Sequence, residues 1–245
     1  MMKVFGVSHC GAVRHENQDS YRTVLSGGGE LLTAVLCDGM GGAQAGSLAS
    51  TIAADTFMSH AANSLDESST IGDIHAILTE AADYANIKVY DRAFADFACM
   101  GMGSTLVGFA ANSKRAAVVN IGDSRAYLIT KRRAEQITRD HSLVEEMISR
   151  GKITRAEALN HPKKNIITRA VGVEASVSSD LFDVKFTSGC RILLCSDGVS
   201  NLISSEEMRM VSCNNDDIEA ACNALLELAL KRGAPDNVTV VMAER

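Results

Sequence analysis

Four aspartates stand at the tips of apolar runs, each beside a turn-forming residue. Asp38 closes TAVLC before Gly39, and Asp123 follows AAVVNIG. Asp197 closes RILLCS before Gly198, and Asp236, with Asn237, immediately precedes VTVVM. Taken singly, Asp-Gly after a strand is an ordinary turn signal. Four carboxylates converging on one rim would repel one another unless a cation sat between them. Oxygen-only ligands select hard divalent cations, Mn2+ or Mg2+, over zinc or copper. Two such ions about 3.5–4 Å apart activate a shared water at neutral pH and clamp the oxygens of a phosphoryl group during in-line displacement. The run Gly39-Met40-Gly41-Gly42 lets the backbone come close to an ion, so a main-chain carbonyl can join the carboxylates. Upstream, Arg14-His15-Glu16-Asn17-Gln18-Asp19-Ser20 gathers polar groups before a strand. Alone it reads as a surface loop. Beside a metal centre, Arg14 fits a phosphate clamp, since its planar fork matches two phosphate oxygens. Asp19 then fits a base that holds water at the ions.

These residues need rigid elements to present them. Lys3 to His9, Tyr21 to Leu25 and Leu31 to Cys37 read as strands, the last two joined by a hairpin turn across Ser26-Gly27-Gly28-Gly29-Glu30. The alanine-rich run AQAGSLASTIAADTFMSHAA after Gly42, and roughly Ile71 to Phe97, have apolar residues at helical spacing. From Ser104 the pattern turns to strands: STLVGFAA, RAAVVNI and RAYLIT, with turns at Asn112-Ser113-Lys114 and Gly122-Asp123-Ser124. Connections this short predict antiparallel pairing of consecutive strands. His141 to Asn160 reads as helical and charged, followed by the basic turn His161 to Asn165. Leu181 to Phe186 and Arg191 to Cys195 are further strands, Glu206 to Val211 and Ile218 to Arg232 helices, and Val238 to Met242 a closing strand. Strand clusters alternating with helix clusters predict an α+β layered sandwich of antiparallel sheets with helices outside.

Composition narrows the function classes. At 245 residues with two prolines and no linker-like stretch, one domain is expected. A net charge of −6 argues against nucleic acid. Seven cysteines, without any Cys-x-x-Cys pair, suit a reducing cytoplasmic compartment better than a disulfide framework or a zinc ribbon. No signal peptide and no apolar run of about 18 residues is evident, so no membrane association is expected. Gly6-Val7-Ser8-His9-Cys10-Gly11 misses the nucleophile elbow by one position, and no P-loop is present.

The ordered series Arg14-x-x-Asn17-Gln18-Asp19-Ser20, Asp38-Gly39-Met40-Gly41-Gly42, Gly103-Ser104-Thr105, Gly122-Asp123-Ser124-Arg125-Ala126-Tyr127, Asp140-His141-Ser142-Leu143, Ser196-Asp197-Gly198 and Asp236-Asn237-Val238-Thr239 resembles the PPM family. These are the metal-dependent protein phosphatases of the 2C type, and the likeness is strongest to their compact bacterial members. The resemblance implies a four-layer α-β-β-α sandwich over residues 1–245, with a flap at about 141–167 beside the active site. It implies hydrolysis of phosphoserine and phosphothreonine in proteins, with Arg14, Asp19 and Asp38 as catalytic residues and Arg14 gripping the phosphate. Asp38 would bridge two Mn2+ or Mg2+ ions, Asp197 and Asp236 would complete one, and the Gly39 carbonyl would join Asp38 on the other. A third, weaker ion would sit near Asp123, while Gln18, Asp19 and Asn237 would support the ligands. The implied partners are phosphorylated proteins, a serine/threonine kinase among them, acted on by a monomer.

The series departs from the family pattern in two places. Gln18 stands where some members carry glutamate, and Met40 stands where the Asp-Gly-His-Gly-Gly form carries a histidine proposed as general acid. Ala43 just beyond offers no substitute, and His9, His15 and His161 are near only in sequence. A second reading, a catalytically weak or dead module that binds phosphoproteins, would be expected to lack a metal aspartate; none is missing.

Overall fold

Successive strand side chains point to opposite faces, and this alternation decides what each strand packs against. In the computed structural model, which describes residues 1–42 and 44–245, two antiparallel sheets lie face to face. One holds β2 (Asp19–Ser26), β3 (Leu31–Met40), β5 (Leu106–Ala111), β6 (Ala116–Ile121) and β9 (Asp180–Asp183) in that order, with β4 (Gly103–Ser104) paired to the end of β3. The other runs β1 (Lys3–His9), β11 (Val238–Glu244), β10 (Arg191–Cys195), β7 (Arg125–Ile129) and β8 (Ala134–Gln136). On β3, Leu32, Ala34 and Leu36 enter the core between the sheets, while Val35 and Cys37 face helices. On β10, Ile192 and Leu194 face the inter-sheet core and Leu193 and Cys195 turn outward. Phe109 and Phe186 meet edge to face inside that core at 5.3 Å between ring centres, a favoured aromatic geometry.

Helices close both outer faces. α1 (Ala45–Ser64) and α2 (Ile71–Ala95) cover the first sheet, with Ala49, Ala53, Phe57 and Ile74 packed against it. The N-terminus of α2 carries a capping box between Thr70 and Asp73, worth about 1 kcal/mol. α6 (Ser205–Asn214) and α7 (Ile218–Lys231) cover the second sheet through Met208, Cys222 and Leu225. This is the expected four-layer α-β-β-α arrangement. Ala43, the first residue of the expected alanine-rich helix, lies outside the described residues. No helix among the described residues is long and apolar enough to cross a membrane.

Several local expectations need correction. β6 and β7, three residues apart, do not pair: β6 sits between β5 and β9, and β7 between β10 and β8. The chain changes sheet at Gly122-Asp123-Ser124, where Gly122 has φ +105° and leaves no room for a Cβ beside Thr105. The turn between β2 and β3 is a single 3-10 turn over Gly27–Gly29, whose three residues all have positive φ. The helix expected over 141–160 is two short ones, α3 (Leu143–Ser149) and α4 (Arg155–Leu159). Gly151 at φ +66° separates them, and Ser142 and Thr154 each cap a fresh start. α2 stops at Ala95, and a 3-10 turn follows at Phe97–Cys99. The strand expected at 181–186 spans only Asp180–Asp183, and a short helix, α5 (Asp197–Ser200), begins on Asp197.

Candidate metal centre

One end of the two sheets collects the aspartates. Asp38 lies near the end of β3, Asp123 on the crossing between sheets, Asp197 at the start of α5, and Asp236 just before β11. All four line one cleft of about 320 Å3, together with Arg14, Gln18, Gly39, Met40, Thr105, Asn165 and Asn237. Glycines make this convergence possible by close approach rather than by turn chemistry alone. A Cβ on Gly39 would strike the carbonyl of Gly46 in α1, and one on Gly198 would strike the carbonyl of Asn237. The first contact draws α1 onto the Asp38 strand; the second presses the Asp236 loop against α5.

Hydrogen bonds then fix each carboxylate's backbone. Thr105 Oγ1 accepts from the Asp38 amide at 2.9 Å, the Asp38 carbonyl accepts from the Thr105 amide at 2.8 Å, and Thr105 Oγ1 also meets Ser124 Oγ at 2.7 Å. Asn237 ties two loops together: its Nδ2 donates to the carbonyls of Cys10 and Glu16, both at 2.9 Å, and its Oδ1 accepts from the Gln18 amide at 2.9 Å. The Gln18 carbonyl accepts from the Gly39 amide at 3.0 Å, which joins the Arg14 loop to the Asp38 strand. Asp19 is paired with Asp38 in the β2–β3 register and is buried. Its Oδ2 accepts from Thr239 Oγ1 at 2.6 Å and Ser196 Oγ at 2.8 Å, while its Oδ1 has no hydrogen-bond partner among the described residues.

The electrostatics are those of crowded carboxylates. Enclosure by protein, then the charges of Asp19, Asp197, Asp123 and Asp236, hold the Asp38 carboxyl well above the usual range. Burial lifts Asp19 to about 7 against the pull of Thr239 and Ser196. Burial and then Asp197 lift Asp123 to about 7, although Arg125 opposes this. Asp197 is raised by enclosure and by Asp236. Arg14 Nη2 donates to Asp236 Oδ2 at 2.8 Å. Arg125 is committed elsewhere, forking onto Asp140 at 2.6 to 3.1 Å. Among the described residues, no three acidic, histidine or cysteine side chains converge tightly enough to hold an ion as they stand. Arg14 on Asp236 and Asn201 Nδ2 on Asp197 Oδ2, at 3.1 Å, account for two carboxylates being turned to protein partners. The donor set itself, oxygens only with a buried carboxylate oxygen left over, fits a hard divalent cation.

A model of the protein phosphatase 2C family matches residues 6–228. The chain belongs to that family. It is 34% identical over 235 residues, 96% of this chain and 92% of the relative, to a serine/threonine phosphatase, stp, of Listeria monocytogenes. It superposes on the crystal structure of the serine/threonine phosphatase Stp1 from Staphylococcus aureus with a TM-score of 0.90 at 33% identity, covering 100% of this chain and 95% of that one. Against the catalytic domain of the serine/threonine protein phosphatase PstP in complex with two manganese ions, the TM-score is 0.81 at 31% identity, with 99% and 97% covered.

Within this phosphatase 2C member, the cleft brings together Arg14, Gln18, Asp38, Gly39, Asp123, Asp197, Asp236 and Asn237. Asp19 sits immediately behind Asp38 rather than on the cleft wall. His9, His15 and His161 do not line it. Thr105 and Ser124 carry no local signal of a role, because their hydroxyl contact joins connecting residues 19 positions apart. Asn201 was missed too, though its place four residues after Asp197 in a helical turn is a readable signal. His141 is a further case: its Nδ1 accepts from the Gly122 amide at 3.1 Å and its amide donates to the Gly122 carbonyl at 2.9 Å. Burial lowers its pKa, which suits a neutral ring accepting that bond.

Proposed function

We propose that this chain hydrolyses phosphoserine and phosphothreonine in proteins, with two Mn2+ or Mg2+ ions held by Asp38, Asp197, Asp236 and the Gly39 carbonyl. The observation that carries this is the crowding of four carboxylates around one cleft, with Asp38 raised by all the others. In this reading Asp38 would be shared by the two ions, and Asp123 with Asp197 would hold a third, weaker one. When bound, the cations activate water and neutralise the charge of the phosphoryl group. Arg14 exchanges Asp236 for two phosphate oxygens; its pair with Asp236 is solvent-exposed, and such pairs are worth only about 0–1 kcal/mol. Asp19, behind Asp38, would help to hold water at the ions through its unpartnered Oδ1, while Ser196 and Thr239 keep Oδ2 in place. Gln18 and Asn237 hold the Arg14 loop against the ligands. No histidine among the described residues lines the cleft, so protonation of the leaving oxygen falls to a water or another group there.

Residues 1–245 act in this reading as one catalytic domain with 141–167 as its flap. The segment closes on itself at its base through the Ser142–Ile167 bridge, and Asn165 and Ile167 reach the cleft wall. The substrates would be phosphoproteins, including a serine/threonine kinase that the phosphatase opposes, and the active form a monomer. Seven free cysteines support a cytoplasmic location. The test is phosphate release from a phosphothreonine peptide and from p-nitrophenyl phosphate with Mn2+. Release that EDTA abolishes is expected; no release from folded, Mn2+-saturated protein would leave the binding-module reading in its place.

A further inference from the structure

A second cleft, also about 320 Å3, lies beside the carboxylate cleft and shares two wall residues with it, Met40 and Ile167. Its other walls include Val173 and Val177, with Arg169 and Glu174. Met40 is two residues from Asp38, and Ile167 ends the 141–167 segment, so the partition, the two side chains that line both clefts, is apolar. The partition is also seated. A Cβ on Gly103 would come within 2.8 Å of Met40 Cε and 2.9 Å of Val173 Cγ2, so this glycine lets both side chains settle over β4. Val173 is nonetheless 49% exposed, a large apolar residue left open at the mouth. Of the charged residues in the walls, Arg169 is committed to Asp180 Oδ1 at 2.9 Å, with its Nη1 also beside His141 Nε2. Glu174 has no ion-pair partner among the described residues, and the neighbouring cleft carries four aspartates against one cation, Arg14.

We propose that this second cleft is a specificity subsite that takes a large apolar side chain within two positions of the phosphorylated residue. This rests on the hydrolase reading of the neighbouring cleft. A peptide whose phosphate lies among the carboxylates advances about 3.3 Å per residue when extended, so a flanking side chain can pass the Met40–Ile167 partition and enter. Inside it meets methyl groups and thioether rather than a free cation. An acidic flanking residue would face Glu174 and the aspartates of the first cleft, and is disfavoured. Met40 then has a use other than proton transfer: its thioether, flexible and apolar, forms the wall between the phosphate and its neighbour.

The experiment compares phosphothreonine peptides that carry Leu, Phe, Ser or Asp at each position from two before to two after the phosphoresidue. At one of those positions kcat/KM for Leu or Phe is expected to exceed that for Ser about tenfold, what burying roughly half of one large apolar side chain supplies, and for Asp to fall lower still. Val173→Asp and the uncharged Val173→Ser, both at an exposed position, should bring the Leu-to-Ser ratio close to one. Turnover of p-nitrophenyl phosphate, which has no flanking residue, should stay unchanged in both. Equal kcat/KM for all peptides with the wild-type protein, or an unaltered ratio in both variants, overturns the subsite. If p-nitrophenyl phosphate itself is not turned over, the hydrolase reading fails separately. The same peptides titrated by fluorescence anisotropy then decide the subsite by whether the tenfold preference shows in binding.

Discussion

The two ends of the sandwich solve opposite problems. At the end holding the start of β10, Arg191 is nearly buried and fully used. It pairs with Glu244 at 2.6 Å and donates to the carbonyls of Ser212, Asn215 and Asp216. Arg245 there donates to the carbonyls of Phe186 and Ser113. That end also has the larger cleft, about 620 Å3, yet a single carboxylate, Asp183, lines it. At the other end four aspartates share a smaller cleft with one cation, Arg14, and Asp19 keeps an unpartnered oxygen behind them. One end pairs its buried charge and the other leaves carboxylates crowded together. Cleft size therefore does not locate the chemistry; unresolved charge does.

Substitutions at the two ends should separate stability from activity. Asp38→Asn is expected to lower kcat/KM with Mn2+ by about 10³-fold, several kcal/mol of charge stabilisation. In the metal-free protein it should raise Tm, because one of the mutually repelling carboxylates is gone; calorimetry with EDTA reads this. Arg191→Ala should do the reverse, costing about 3 kcal/mol in urea unfolding by leaving Glu244 and three carbonyls without their donor, with kcat/KM of the folded protein unchanged. Arg14→Ala should raise KM for a phosphopeptide about tenfold, the loss of one charge-assisted fork, and change kcat less. An unchanged KM would remove Arg14 from the phosphate site.

The pH dependence follows from Asp19 and Asp123, both lifted to about 7 mainly by burial. A carboxyl raised in the folded state contributes stability that is fully present below the unfolded value near 4. That stability is lost as pH rises through the folded value. The metal-free protein should therefore lose Tm between about pH 4 and 7, by on the order of 5 °C. Saturating Mn2+ should flatten that slope, since it binds the ionised form. Tm against pH, with EDTA and with Mn2+, checks both curves.

How legible each end was in the sequence follows from the range of the interactions that build it. The continuous apolar runs TAVLC, AAVVNI and RILLC mark the strands, and the turn residue after each sets Asp38, Asp123 and Asp197 apart as a group. The sheet change at Gly122-Asp123-Ser124 was not legible, because three residues between two strands read as a hairpin unless the partners of each strand are known. That crossing is what places Asp123 between the sheets, so the error lay at the site itself. The break at Gly151 was readable in principle from Thr154 and Glu157, a capping-box pattern in the middle of an expected helix. Asp19's anchors, Ser196 and Thr239, are 177 and 220 residues away in sequence. No local pattern links them to it.

The central claim is that the crowded end is built for cations bridged by Asp38, and Mn2+ titration by isothermal calorimetry tests it without reference to turnover. The wild-type protein should bind at least two ions per chain, and Asp38→Asn should lose at least one of them with the fold intact by circular dichroism. Equal stoichiometry and affinity in the two proteins would contradict the account.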